Sequence, residues 1–100
     1  MGTATKLEWS RIQEGLQALQ PGWQVNAQGH LERKYRLPDF AQALAFANRV
    51  GALADAEGHH PDLHISWGEC GVETWSHDAG GLTDRDFSLA KKIDALRESR

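Results

Sequence analysis

The chain has 100 residues, a net charge of -3, 40% hydrophobic and 25% charged side chains, which is the make-up of an ordinary globular protein and excludes the disordered and fibrous classes. Its 11 basic residues are scattered, so no positively charged face for nucleic acid is expected. Cys70 is the only cysteine, which excludes an intrachain disulfide; it reads as a small buried hydrophobe in a protein of a reducing compartment.

This length suits a single domain over residues 1–100 with one modest core, and small domains often gain stability by pairing with a copy of themselves. Lys6, Glu8, Arg11 and Glu14 break the apolar pattern near the start. No secretory segment and no membrane span is expected there or later, and the expected location is cytoplasmic.

In chain order, Trp9, Ile12, Leu16 and Leu19 recur at spacings of three and four, one face of an amphipathic helix between Leu7 and Leu19 that Pro21-Gly22 ends. Trp23 to Asn26 reads as a short strand, followed by a turn at Ala27-Gln28-Gly29. From Leu31 to Leu37 the pattern alternates: Leu31, Tyr35 and Leu37 share one parity, and Glu32, Lys34 and Arg36 the other, giving a strand with a dry and a wet face. Pro38 closes it. Asp39 is placed to cap a helix whose buried stripe is Phe40, Ala43, Leu44, Ala47, Val50, Gly51 and Ala54. That helix runs to about Glu57, where Gly58 can supply a left-handed end and Pro61 forbids continuation.

Strands from His64 to Trp67 and from Cys70 to His77 follow, joined at Gly68-Glu69, with Val72 and Thr74 on one face and Glu73, Trp75 and His77 on the other. After Ala79-Gly80-Gly81, Thr83 and Asp86 have the spacing of a capping box. Phe87, Ala90, Ile93 and Leu96 then mark a last helix. The order helix, strand, strand, helix, strand, strand, helix predicts an α+β two-layer sandwich, a four-stranded antiparallel sheet with three helices on one face.

Three of the five histidines, His59, His60 and His77, fall at element ends, where side chains can converge in a cleft. An imidazole titrates at about 6.5, so a cluster can hold both a proton donor and an acceptor near neutrality. Elimination of water needs such a pair, one group protonating the departing hydroxyl and the other taking a proton from the neighbouring atom. A carboxylate, Asp86 or Asp55, would orient an imidazole by accepting its N–H. Trp67 or Trp75 could wall a flat heterocycle.

The run Asp55-x3-His59-His60-Pro61-x5-Trp67-x9-His77-x8-Asp86 closely resembles the signature of the pterin-4a-carbinolamine dehydratase family, and Ser76 to Asp86 resembles its approach to the last helix. The resemblance spans nearly the whole chain and implies dehydration of 4a-hydroxytetrahydropterin to quinonoid dihydropterin, with no metal and no bound cofactor. It implies His59, His60 and His77 as the catalytic pocket, Asp55 and Asp86 as supporting acids, with Asp86 expected both to cap the last helix and to orient His77, and Pro61 and Trp67 as pocket-shaping residues. It also implies a homodimer or homotetramer. The sequence departs from the animal members at Leu63-His64, where they carry two aromatics, and at Gly58, where they carry an acid.

Two other readings compete. His60, His64, Cys70 and His77 could be zinc ligands, but Pro61 takes the first pair out of the helix in which a spacing of four would align them. A non-catalytic assembly or interaction factor on the same fold is the other, and the intact set at 59, 60, 77 and 86 weighs against it.

Overall fold

The computed structural model describes residues 5–99. The alternating segment forms a strand, Leu31–Arg36, that lies second in a four-stranded antiparallel sheet. Numbered along the chain, the elements are α1 (Trp9–Ala18), β1 (Gln24–Val25), β2 (Leu31–Arg36), α2 (Phe40–Glu57), β3 (Asp62–Ser66), β4 (Glu69–Thr74) and α3 (Asp84–Ser99), with a 3-10 turn at His77–Ala79. The sheet order is β1-β2-β4-β3. The α+β architecture expected from the sequence is therefore present.

Register explains which side is dry. Leu31 lies opposite Thr74, Arg33 opposite Val72 and Tyr35 opposite Cys70, while Leu63 and Ile65 of β3 lie opposite Val72 and Cys70. Successive side chains leave a strand on opposite faces, so Leu31, Tyr35, Cys70, Val72 and Thr74 share the face that is buried. Cys70 is fully covered there, and burial pushes its thiol above the usual range. The other face carries Glu32, Lys34, His64 and Glu73.

Helix α2 begins as expected, with the Asp39 carboxylate accepting from the Gln42 N–H at 2.8 Å. Its buried stripe is Ala43, Phe46, Ala47, Val50 and Ala54, rotated from the predicted one. Phe46 is three residues on from Ala43 and four before Val50, which puts it on the core face. Phe40 and Leu44, expected inside, are instead exposed.

In α1 no residue is fully buried and Trp9 faces outward, with Ile12 and Leu16 half-buried against the core. Gly15 allows α1 to press onto α3, since a Cβ there would stand 2.7 Å from the Phe87 ring. Farther along α3, buried Asp94 accepts hydrogen bonds from Trp23 Nε1, Arg33 Nη1 and the Tyr35 hydroxyl. That carboxylate ties α3 to β2 and to the segment before β1. Burial, reinforced by Asp94, raises the Tyr35 hydroxyl far above its ordinary value.

Several strand bounds differ from the sequence reading: β1 is one residue shorter at each end, β2 stops at Arg36, β3 runs from Asp62 to Ser66 rather than from His64 to Trp67, and β4 begins at Glu69. The β3–β4 turn is Trp67-Gly68 rather than Gly68-Glu69, because Gly68 takes the left-handed conformation (φ 73°) that a two-residue hairpin loop demands. The last strand stops at Thr74, and His77 lies beyond it in the 3-10 turn. Among the described residues no helix is long and apolar enough to cross a membrane.

Candidate active site

The end of α2 sets the first two histidines. Gly58 adopts φ 68°; its N–H reaches the Asp55 carbonyl at 3.2 Å and the His59 N–H reaches the Ala54 carbonyl at 3.2 Å. This pair of bonds is the Schellman arrangement, which satisfies the last carbonyls of the helix and turns the chain sharply. His59 and His60 leave that turn in different directions, and Pro61 leads the chain into β3.

His59 turns inward. Its side chain is only 12% exposed, and its Nε2 lies 2.6 Å from Asp86 Oδ1 and 3.3 Å from Thr74 Oγ1. His60 turns outward, with Nε2 2.9 Å from Asp55 Oδ1 and both side chains well exposed. Each carboxylate anticipated as an orienting group therefore meets an imidazole. Asp86 meets His59 and not His77, which corrects the expectation that it orients the later histidine. The reason lies in the early end of β4: Thr74 and Asp86 face the core, whereas His77 rides an exposed turn at the rim.

The 3-10 turn is pinned at its base. The Ser76 N–H donates to the Gly81 carbonyl at 2.9 Å, and Gly80 closes the turn at φ 73°. Arg85 Nη2 donates to Asp78 at 2.6 Å and holds that carboxyl below its usual range. The His77 ring lies 4.6 Å from the Trp75 ring at 47°.

Together Gly58, His59, His60, Trp75, His77 and Asp78 line an open cleft of about 280 Å³. A second recess of about 240 Å³ shares His59 and continues past Asp84, Arg85 and Ser88. Larger clefts of about 340 and about 370 Å³ lie elsewhere, and neither contains a histidine.

Asp86 is buried completely, and its oxygens accept from Thr74 Oγ1 at 2.6 Å, Ser76 Oγ at 2.9 Å and the Thr83 N–H at 3.0 Å. The Arg85 N–H donates back to Thr83 Oγ1 at 3.2 Å. The capping box read from the spacing is thus formed, with Asp86 at its third position. The same carboxylate faces His59.

Trp75, half-buried, is backed by a residue the sequence reading overlooked. The His30 ring stacks on it at 3.7 Å and 3°, and His30 Nδ1 is bonded to Glu73 Oε2 at 2.7 Å. Hydrogen bonds from His30, and next from Asn26, hold the Glu73 carboxyl below its ordinary value. The β2–β4 register carries the signal: Leu31 opposite Thr74 puts His30 beside Trp75.

Of the other anticipated residues, Pro61 sits half-buried in the link to β3. Trp67 is 74% exposed in the β3–β4 turn, at the opposite end of β4 from Thr74, and does not line the cleft of its own chain. Nor are the four possible zinc ligands gathered. Cys70 is buried on the helix side of the sheet, while His64 projects from the other face. The gathering of metal-binding side chains among the described residues is Asp62, His64 and Glu73, on the sheet's open face.

The sequence model of a family described as pterin 4 alpha carbinolamine dehydratase matches residues 5–96. A protein of Rickettsia bellii, provisionally named pterin-4-alpha-carbinolamine dehydratase, is 53% identical over 96 residues, covering 96% of this chain and 85% of its own length. A Rickettsia canadensis protein of the same provisional name is 51% identical, covering 94% of this chain and 86% of its own. A crystal structure described as a transcriptional coactivator/pterin dehydratase from Brucella melitensis superposes with a TM-score of 0.85 at 29% identity, over 92% of this chain and 98% of that one. The chain belongs to the pterin-4a-carbinolamine dehydratase family, a family of lyases.

Proposed function

We propose that the protein dehydrates a 4a-hydroxytetrahydropterin to the quinonoid dihydropterin, with the cleft histidines carrying the protons. The observation that supports this reading is the meeting of His59, His60 and His77 on one cleft beside the flat face of Trp75, in a chain of this family.

The reaction breaks the C4a–O bond and the N5–H bond. One side chain gives a proton to the hydroxyl, which leaves as water; the N5 electrons form the C4a=N5 double bond; a second side chain takes the N5 proton. A turnover leaves the donor deprotonated and the acceptor protonated, and exchange with water in the open cleft restores both. Each well-placed group contributes on the order of 10²- to 10⁴-fold. In this reading Asp86 fixes the ring of His59, Asp55 steadies His60, Pro61 shapes the link that follows them into β3, and the pterin ring lies along Trp75. Trp67 has no contact with substrate inside one chain. No step is given to a metal or an organic cofactor.

The product is an oxidised pterin that a reductase can return to the tetrahydro form, so the activity fits tetrahydropterin recycling in the cytoplasm. The protein acts as a homodimer or homotetramer, with the pterin as its small-molecule partner and without nucleic acid or membrane.

Turnover of chemically prepared 4a-hydroxytetrahydropterin tests the reading. Wild-type protein accelerates the loss of water, and His59→Ala and His60→Ala each lower the rate by about 100-fold. An uncatalysed rate with wild type overturns it and leaves the interaction-factor reading; full activity in both variants overturns the assignment of the proton transfers to these histidines.

A further inference from the structure

Beneath His59 lies a group of hydroxyls, Thr74, Ser76 and Thr83, all fully or almost fully buried. A hydroxyl has one proton to donate, and an ionised carboxylate only accepts. These two facts assign a direction to every bond in the group. Ser76 gives its proton to Asp86 Oδ2 at 2.9 Å. Its 2.9 Å bond with Thr83 Oγ1 must then be donated by Thr83, which itself accepts from the Arg85 N–H. Thr74 gives its proton to Asp86 Oδ1 at 2.6 Å. Toward His59 Nε2, 3.3 Å away, the Thr74 oxygen can therefore only accept.

Both atoms that face His59 Nε2, Asp86 Oδ1 and Thr74 Oγ1, are thus acceptors, and the ring nitrogen between them has to supply the hydrogen. In a neutral imidazole one nitrogen carries the proton and the other accepts. We infer that Thr74, Ser76 and Thr83 are positioning residues: through Asp86 they hold His59 as the Nε2–H tautomer and so leave its Nδ1 bare for proton exchange with the bound pterin. This inference rests on the dehydratase reading for its purpose, but the tautomer itself follows from the hydrogen-bond directions alone.

The chain of donors matters because a carboxylate by itself would accept from either ring nitrogen. The hydroxyls remove that freedom. Thr74 supplies a donor to the same oxygen that His59 addresses, and Ser76 and Thr83 fill the other oxygen. The carboxylate can then neither rotate nor shift without breaking several buried bonds, each costly to leave unmade.

The test uses full-length protein labelled with ¹⁵N and two-bond proton-nitrogen NMR at about pH 8, above the ordinary imidazole range. Wild type shows His59 with the proton on Nε2. Thr74→Val keeps the side-chain shape but removes the donor; it gives a mixture containing the Nδ1–H form and lowers kcat by about 10-fold, with KM changed by less than about 2-fold. Thr74→Ser restores both the tautomer and kcat. Ser76→Ala, read in the same two ways, serves if Thr74→Val does not fold. A wild-type spectrum with the proton on Nδ1, or a folded variant whose tautomer and kcat match those of wild type, overturns the inference. Absence of turnover in wild type with the Nε2–H tautomer present overturns the dehydratase reading instead, and with it the purpose assigned here.

Discussion

Asp86 joins two tasks that usually belong to different residues. One oxygen receives the Thr83 N–H at the start of α3 and the other faces His59. Asp86→Asn replaces an acceptor oxygen with an amide donor that must face existing donors. The expected result is a loss of about 1–3 kcal/mol in stability, measured by urea unfolding, together with a fall in turnover of about 100-fold. A variant that lost stability and kept its rate would leave only the cap. The cap was legible in the sequence from Thr83-x-x-Asp86, and so was the presence of a carboxylate among the histidines. Its imidazole partner was not, because spacing along a chain does not say which end of β4 lies under which end of α2. Thr74, Ser76 and His30 escaped notice for a related reason: alternation assigns a residue to a face of the sheet, and only register shows what it touches.

Helix α2 shows how far periodicity carries at the scale of an element. Asp39, Gly58 and Pro61 mark its two ends in the sequence, and the structure forms both caps there. The stripe between them was displaced, since a helix rich in alanine offers several apolar faces and the large Phe46, rather than Phe40 or Leu44, chose the one that packs. The C-terminal cap also has a functional side. Gly58 sits at φ 68°, and a Cβ there meets nothing within 4 Å, so Gly58→Ala introduces left-handed backbone strain without a clash. It should cost about 1 kcal/mol and lower turnover, because the turn it distorts is the one that parts His59 from His60. A urea midpoint and a kcat on the same sample check this; an unchanged kcat would separate the turn from the chemistry.

At the scale of the whole molecule, the element order and the antiparallel sheet were legible because the switches from spacing three and four to spacing two are clear. The strand order β1-β2-β4-β3 was not, since it depends on which edges the connections reach. One edge is β3, and Ile65, Trp67, Phe40, Leu44 and Trp9 remain exposed on the single chain. Open sheet edges and large exposed apolar side chains favour association. The expected outcome of light scattering at micromolar concentration is a mass two or four times the chain's 11.1 kDa; a stable monomer would remove the proposed homo-oligomer.

Sharing one carboxylate between a helix cap and the imidazole proposed to carry a proton has a consequence for how such a protein drifts and how it can be engineered. Functional residues commonly burden a fold, so that replacing them stabilises the protein while activity is lost. At Asp86 the two properties fall together. On the proposed function, a chain that loses this acid is expected to lose stability along with rate, and a search for stabilising substitutions has no reason to remove it.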